Sequence, residues 1–94
     1  MERMQDRRPR LGHGFRFQWE PAQNCHVLLY PEGMVKLNQS AGEILRRCNG
    51  ETTVGELVAD LEQAFSASGL LLEVTHFLNH ALQQRWVEWT EGES

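Results

Sequence analysis

The chain has 94 residues, 40% of them hydrophobic, and a formal net charge of −4. That length holds one domain with a modest core, which suits a binding module better than an enzyme built around a deep pocket. The apolar content excludes a disordered chain, and no apolar run approaches the roughly 18 residues of a membrane span.

Residues 1–13 read as a flexible N-terminal arm. They are polar, contain Pro9 and show no periodicity. The arm is basic: residues 1–16 hold five arginines against Glu2 and Asp6, a net +3, while the rest of the chain carries −7. A nucleic-acid binder carries its basic face on the folded body, and here the body is acidic. Met1 to Arg10 has no apolar core of the kind a signal peptide needs, so the expected compartment is the cytoplasm.

Residues 14–90 read as a single domain, and 91–94 as a loose tail. Phe15-Arg16-Phe17-Gln18-Trp19 alternates apolar and polar, the mark of a half-buried strand. Glu20 to Asn24 is a turn containing Pro21, and His26 to Tyr30 is a second strand. Pro31-Glu32-Gly33 connects it to a short third strand, Met34 to Leu37. Three strands on short connections make an antiparallel meander.

At Leu37 the apolar period changes from two to between three and four, so helices follow. Ser40 and Glu43 have capping-box spacing, which starts a first helix over Ala41 to Cys48 that Asn49-Gly50 ends. Thr53 and Glu56 form a second box. It opens a helix whose stripe is Val54, Leu57, Val58, Leu61 and Phe65. After the break Ser66-Ala67-Ser68-Gly69, a third helix carries Leu70, Val74, Phe77, Leu78, Ala81 and Leu82 on one side, with Arg85 in its last turn. Trp86 to Trp89 is either a short fourth strand or an extended tail. The fold class is α+β: an N-terminal three-stranded meander followed by a three-helix bundle, winged-helix-like in its elements. Phe17, Leu28, Ile44, Leu57, Leu61, Phe77 and Leu78 should share one core.

Candidate chemistry is sparse. His76 and His80 lie one helical turn apart, the spacing of a zinc pair, but no third ligand is near. Cys25 and His26 are neighbours on a strand and point to opposite faces, which denies them a catalytic dyad. There is no glycine-rich phosphate loop and no nucleophile elbow, and capping explains Glu43 and Glu56. Cys25 and Cys48 read as reduced thiols. Of the tryptophans, Trp19 and Trp86 are expected in the core and Trp89 as an exposed contact. No catalytic residue, metal site or cofactor is expected.

The run Leu28-Leu29-Tyr30-Pro31-Glu32-Gly33-Met34-Val35-Lys36-Leu37-Asn38 closely resembles the PqqD family of pyrroloquinoline quinone (PQQ) biosynthesis. Gly14-Phe15-Arg16-Phe17 before it, and Ser40-Ala41 and Glu43-Ile44-Leu45 after it, extend the resemblance. It spans roughly Arg8 to Val87. The Leu-Asn-Xaa-Ser/Thr-Ala signature is shared with peptide-recognition elements of other ribosomal-peptide systems. The resemblance implies a non-catalytic peptide chaperone. Such a domain binds the leader of the PqqA precursor peptide and presents it to the radical-SAM enzyme PqqE. The leader would add as a strand beside the third strand, at Met34, Val35, Lys36, Leu37 and Asn38. It would lie against the third helix, with Leu70, Val74 and Leu78 as the apolar floor. An open edge also invites a homodimer.

Two other function classes compete. A winged-helix DNA-binding protein needs basic or amide side chains on its recognition helix, and Leu70 to Gln84 has no Lys or Arg. A small metal-dependent enzyme would need a third ligand beside the two histidines. Neither nucleic acid nor membrane is expected as a partner.

Overall fold

The computed structural model describes residues 3–90. Five strands and three α-helices follow a 3-10 turn at Met4–Asp6: β1 Pro9–Leu11, β2 Arg16–Glu20, β3 Cys25–Tyr30, β4 Gly33–Lys36, α1 Gln39–Arg46, α2 Val54–Ala64, α3 Leu71–Gln83 and β5 Val87–Trp89. The meander is present as an antiparallel sheet in the order β2-β3-β4, and the three helices follow it. The fold is α+β, as the change of period implies.

Alternation in the sheet decides what is buried. Leu28 on β3 pairs with Phe17 on β2 and Val35 on β4, so these three share a face. That face meets the helices, and Leu28 is fully buried. Leu37, Ile44, Leu57, Leu61, Val74 and Leu78 join it in one apolar cluster, with Phe17 and Phe77 half-buried at its margin. Gly42 lets α1 approach closely: a Cβ there would sit 3.0 Å from Nδ1 of His26.

Several elements depart from the sequence expectations. The arm expected over residues 1–13 is structured within its described part. Pro9–Leu11 pairs antiparallel with Val87–Trp89, Pro9 is buried, and the 3-10 turn lies against α2. The carbonyls of Arg7, Arg8 and Pro9 accept from the N–H groups of Val54, Thr90 and Gly50 at 2.9, 2.8 and 2.9 Å. The Arg7 guanidinium lies 4.3 Å from the Trp89 ring centroid, and Arg10 pairs with Glu88. Gly12 is required here, because any Cβ would collide with the Arg85 carbonyl. Trp86 to Trp89 is accordingly a strand at its end, and Trp89 is half-buried by its contact with Arg7. The expected tail at 91–94 lies outside the described residues.

The start of α1 differs too. Asn38 is its N-cap, with Oδ1 accepting from the Ala41 N–H at 2.8 Å, so the Ser40–Glu43 box does not form. Glu43 is drawn instead to Arg47, whose Nη1 donates to its carboxylate at 2.8 Å, and to Arg46 at 3.0 Å. Arg47 also pairs with Asp60, which ties α1 to α2. The hydrogen bond from Arg47 holds the Glu43 carboxyl below the usual carboxylate range. The Thr53–Glu56 box is present in full. Trp19 is 50% exposed rather than in the core; it lies on the edge strand β2, its ring against that of His26 at 5.0 Å. Phe65 caps α2 at its C-terminal end and is also exposed. Arg85 lies beyond α3, at a positive φ of 67° that turns the chain toward β5.

Three outcomes follow from this packing. Leu61→Ala should cost about 2–5 kcal/mol in chemical denaturation; a cost under about half a kcal/mol would mean Leu61 is not in the core. Deleting residues 1–11 should lower the melting temperature sharply, since it removes β1 and the partner of the first α2 amide; an unchanged melting temperature would show the β1–β5 pairing to be idle. The Glu43 carboxylate has a depressed pKa when folded, so its stabilisation is present above the ordinary carboxylate pKa and is lost as pH falls through the folded value. Glu43→Gln should therefore melt lower than wild type at pH 7, and the two curves should converge in acid.

Candidate functional site

The outer edge of β4 is the first part of the site. The Leu37 N–H donates to the His26 carbonyl at 3.0 Å, which fixes the ladder's phase. Antiparallel pairs alternate between bonded and unbonded. Val35, two residues earlier, therefore bonds Leu28 through both its backbone groups, and Met34 and Lys36 turn theirs away from β3. β4 has no strand on that side among the described residues.

The second part is a groove between α1 and α3. Its deeper end is an apolar pocket of about 240 Å³ walled by Ser40, Ile44, Leu61, Phe65, Leu70 and Val74. Ser40, Ile44 and Glu73 continue into a shallower hollow bounded by Asn38, Phe77 and His80. Asn38 is two residues beyond the end of β4, so the strand edge leads into the groove. Local backbone geometry shapes the deep end. Ser66 and Gly69 have φ of 51° and 72°, and they fold the α2–α3 connection back so that Phe65 and Leu70 both reach the pocket. No side chain of Leu70 caps α3; the Glu62 carboxylate on α2 accepts from the Leu70 N–H at 2.9 Å and settles the turn.

The residues singled out from sequence divide by role. Met34 is 42% exposed and Lys36 is exposed, while Leu37 is buried under the helices and Asn38 is the α1 cap. Leu70 and Val74 line the deep pocket. Leu78 is fully buried beneath the groove and forms none of its wall, contrary to the floor assigned to it. Ile44, Phe65 and Glu73 were not foreseen as groove residues. Ile44 and Phe65 carry core periodicity, and only the packing of two helices shows that one side of each is open.

The other candidate chemistry stays apart. His76 and His80 are exposed, and His80 meets the edge of Trp86 at 5.3 Å. His26 stacks on Phe17 at 4.7 Å and meets Trp19 at 5.0 Å, engaged by aromatic rings rather than by Cys25. Cys48 is buried, which pushes its thiol up to about 12 and leaves it unreactive. Among the described residues no group of three or more His, Cys, Asp or Glu is placed to hold a metal ion, and no helix is long and apolar enough to cross a membrane.

Residues 25–87 match the family model described as coenzyme PQQ synthesis protein D. The chain is 53% identical over 81 residues to the PqqA binding protein of Stutzerimonas stutzeri (strain A1501), covering 85% of this chain and 88% of that one. It is 44% identical over 86 residues to the PqqA binding protein of Kluyvera intermedia, covering 90% and 94%. In three dimensions it is similar to a solution structure of the PqqD truncation of Methylobacterium extorquens PqqCD, described as a functional and stand-alone ribosomal-peptide recognition element. The TM-score is 0.74 at 29% identity, over 94% of this chain and 95% of that one. With β2–β3–β4 and three helices in the same arrangement, and with the match running through both the β4 edge and the groove, this chain belongs to the PqqD family.

Proposed function

We propose that the chain is a non-catalytic adaptor of PQQ synthesis that binds the leader of the PqqA precursor peptide and presents it to the radical-SAM enzyme PqqE. The observation that carries this reading is the β4 edge, whose outward backbone groups at Met34 and Lys36 run directly into an apolar groove. An extended peptide added to such an edge takes affinity from main-chain hydrogen bonds and specificity from pockets for alternate side chains. The groove supplies those pockets through Ile44, Phe65, Leu70 and Val74. The relatives' description as PqqA binding proteins supports the peptide's identity. The cytoplasm is the compartment that suits two free thiols. A second copy of the chain could pair at the same edge, and the leader would then compete with dimerisation.

Two prolines test the edge. Lys36→Pro removes an N–H that faces the open side, at an edge position that tolerates proline. It should weaken binding of a synthetic PqqA leader peptide about tenfold or more with little change in melting temperature. Val35→Pro removes an N–H bonded to Leu28 and should lower both binding and melting temperature. Amide shifts on adding the leader should concentrate at residues 34–38 and along the groove side of α3. Equal behaviour of the two prolines, or shifts that avoid β4 and α3, would overturn strand addition at this edge.

A further inference from the structure

The β2–β3–β4 register sets residues in rows across the sheet. Arg16, Leu29 and Met34 share one row, and Gln18, Val27 and Lys36 share the next. Both rows lie on the face turned away from Leu28 and the helices. On that outer face Val27 is completely buried by its neighbours, whereas Met34 and Lys36 stand exposed at the margin. Lys36 is the only Lys or Arg between positions 17 and 45. It takes part in no ion pair among the described residues, whereas Arg10, Arg46 and Arg47 are each paired with a carboxylate.

The ladder gives this charge a direction. Lys36 sits opposite Val27 in an unbonded pair, so its own N–H and C=O point to the open edge. A strand added there in the antiparallel sense meets Lys36 as a bonded pair. The residue opposite carries its side chain on the same outer face, within reach of the ammonium.

We infer that Lys36 is a specificity-determining residue that selects an acidic residue in the bound peptide. The segment that adds to β4 places an Asp or Glu opposite Lys36 and an apolar residue two positions away, opposite Met34. The inference rests on strand addition at β4, as proposed above. The peptide positions between these two point to the other face, toward Val35 and the helices, and are read there by apolar contact. The surroundings sharpen the choice. The chain beyond residue 16 carries a net −7, whereas Lys36 is the cation that stands at the open edge of this face, with Arg16 two strands away, so an acidic peptide side chain added there is attracted beside Lys36. The acid therefore sets the register of the added strand as well as its identity, since a slip of one residue would turn it to the buried face.

A charge exchange tests this. The full chain and its Lys36→Glu and Lys36→Met variants are titrated calorimetrically with a synthetic PqqA leader peptide, and with leader peptides in which one Asp or Glu at a time is replaced by Lys. Lys36→Glu should weaken binding of the unaltered leader about fivefold or more, and Lys36→Met by less, with a flatter salt dependence. One Lys-substituted leader should bind Lys36→Glu better than it binds the wild-type chain. Unchanged affinity of Lys36→Glu and Lys36→Met for the unaltered leader would overturn selection by Lys36. So would a panel in which every Lys-substituted leader prefers the wild-type chain. If the wild-type chain binds no leader at all, or binds it with amide shifts away from residues 34–38, the strand-addition reading fails and this inference with it.

Discussion

Leu28 is the constraint on which the rest of the molecule depends. It is fully buried in the middle strand, under the helices. A strand cannot turn one side chain inward without turning its neighbours outward. Burying Leu28 therefore commits Phe17 and Val35 to the helices and commits Val27, Met34 and Lys36 to the opposite face. The same alternation governs the backbone: Val35 bonds Leu28, which leaves the polar groups of Met34 and Lys36 for whatever lies beyond the edge. One buried leucine thus separates the residues of β4 that hold the fold from those whose backbone groups are left at the open edge.

The helices complete the site by where they fail to meet. α1 is drawn onto the sheet at Gly42 and tied to α2 by Arg47, while α3 packs through Val74 and Leu78. Between one face of α1 and the exposed side of α3 the apolar surface is left open, and Ile44 is buried yet lines it. The groove is walled mainly by apolar side chains, with Glu73 and His80 at its rim. Such a surface can desolvate an apolar side chain beside a polar rim.

Much of this was legible in the residues. The change of period at Leu37, the stripe Val54-Leu57-Val58-Leu61 and the Thr53–Glu56 box placed the elements, because each is a local pattern acting over one or two turns. The failures have equally local reasons. Asn38 and Ser40 are both good caps two residues apart, and the outcome turned on Glu43, which Arg46 and Arg47 engage. The alternation of Phe15 to Trp19 tells which residues share a face, but not that Trp19, on an edge strand, stays half exposed. The pairing of Pro9–Leu11 with Val87–Trp89 leaves no trace in periodicity, since three residues are too few to show one. The β4 edge strand could be placed from local pattern and turn residues. Leu70 and Val74 on the groove's α3 side could be named as well, but Ile44 and Phe65 could not, because the groove is a gap between helices and belongs to no single stretch.

That β1–β5 pairing also bears on how the molecule forms. Arg10 and Glu88 are 78 positions apart, so their contact closes a loop of almost the whole chain, at an entropic cost that only long-range contacts elsewhere can first reduce. On a ribosome, β1 emerges early and its partner late. Until β5 arrives, Pro9 has no strand to cover it, and Trp89 is not there for Arg7. β1 is thus made before the elements it packs against and is among the last to be fastened.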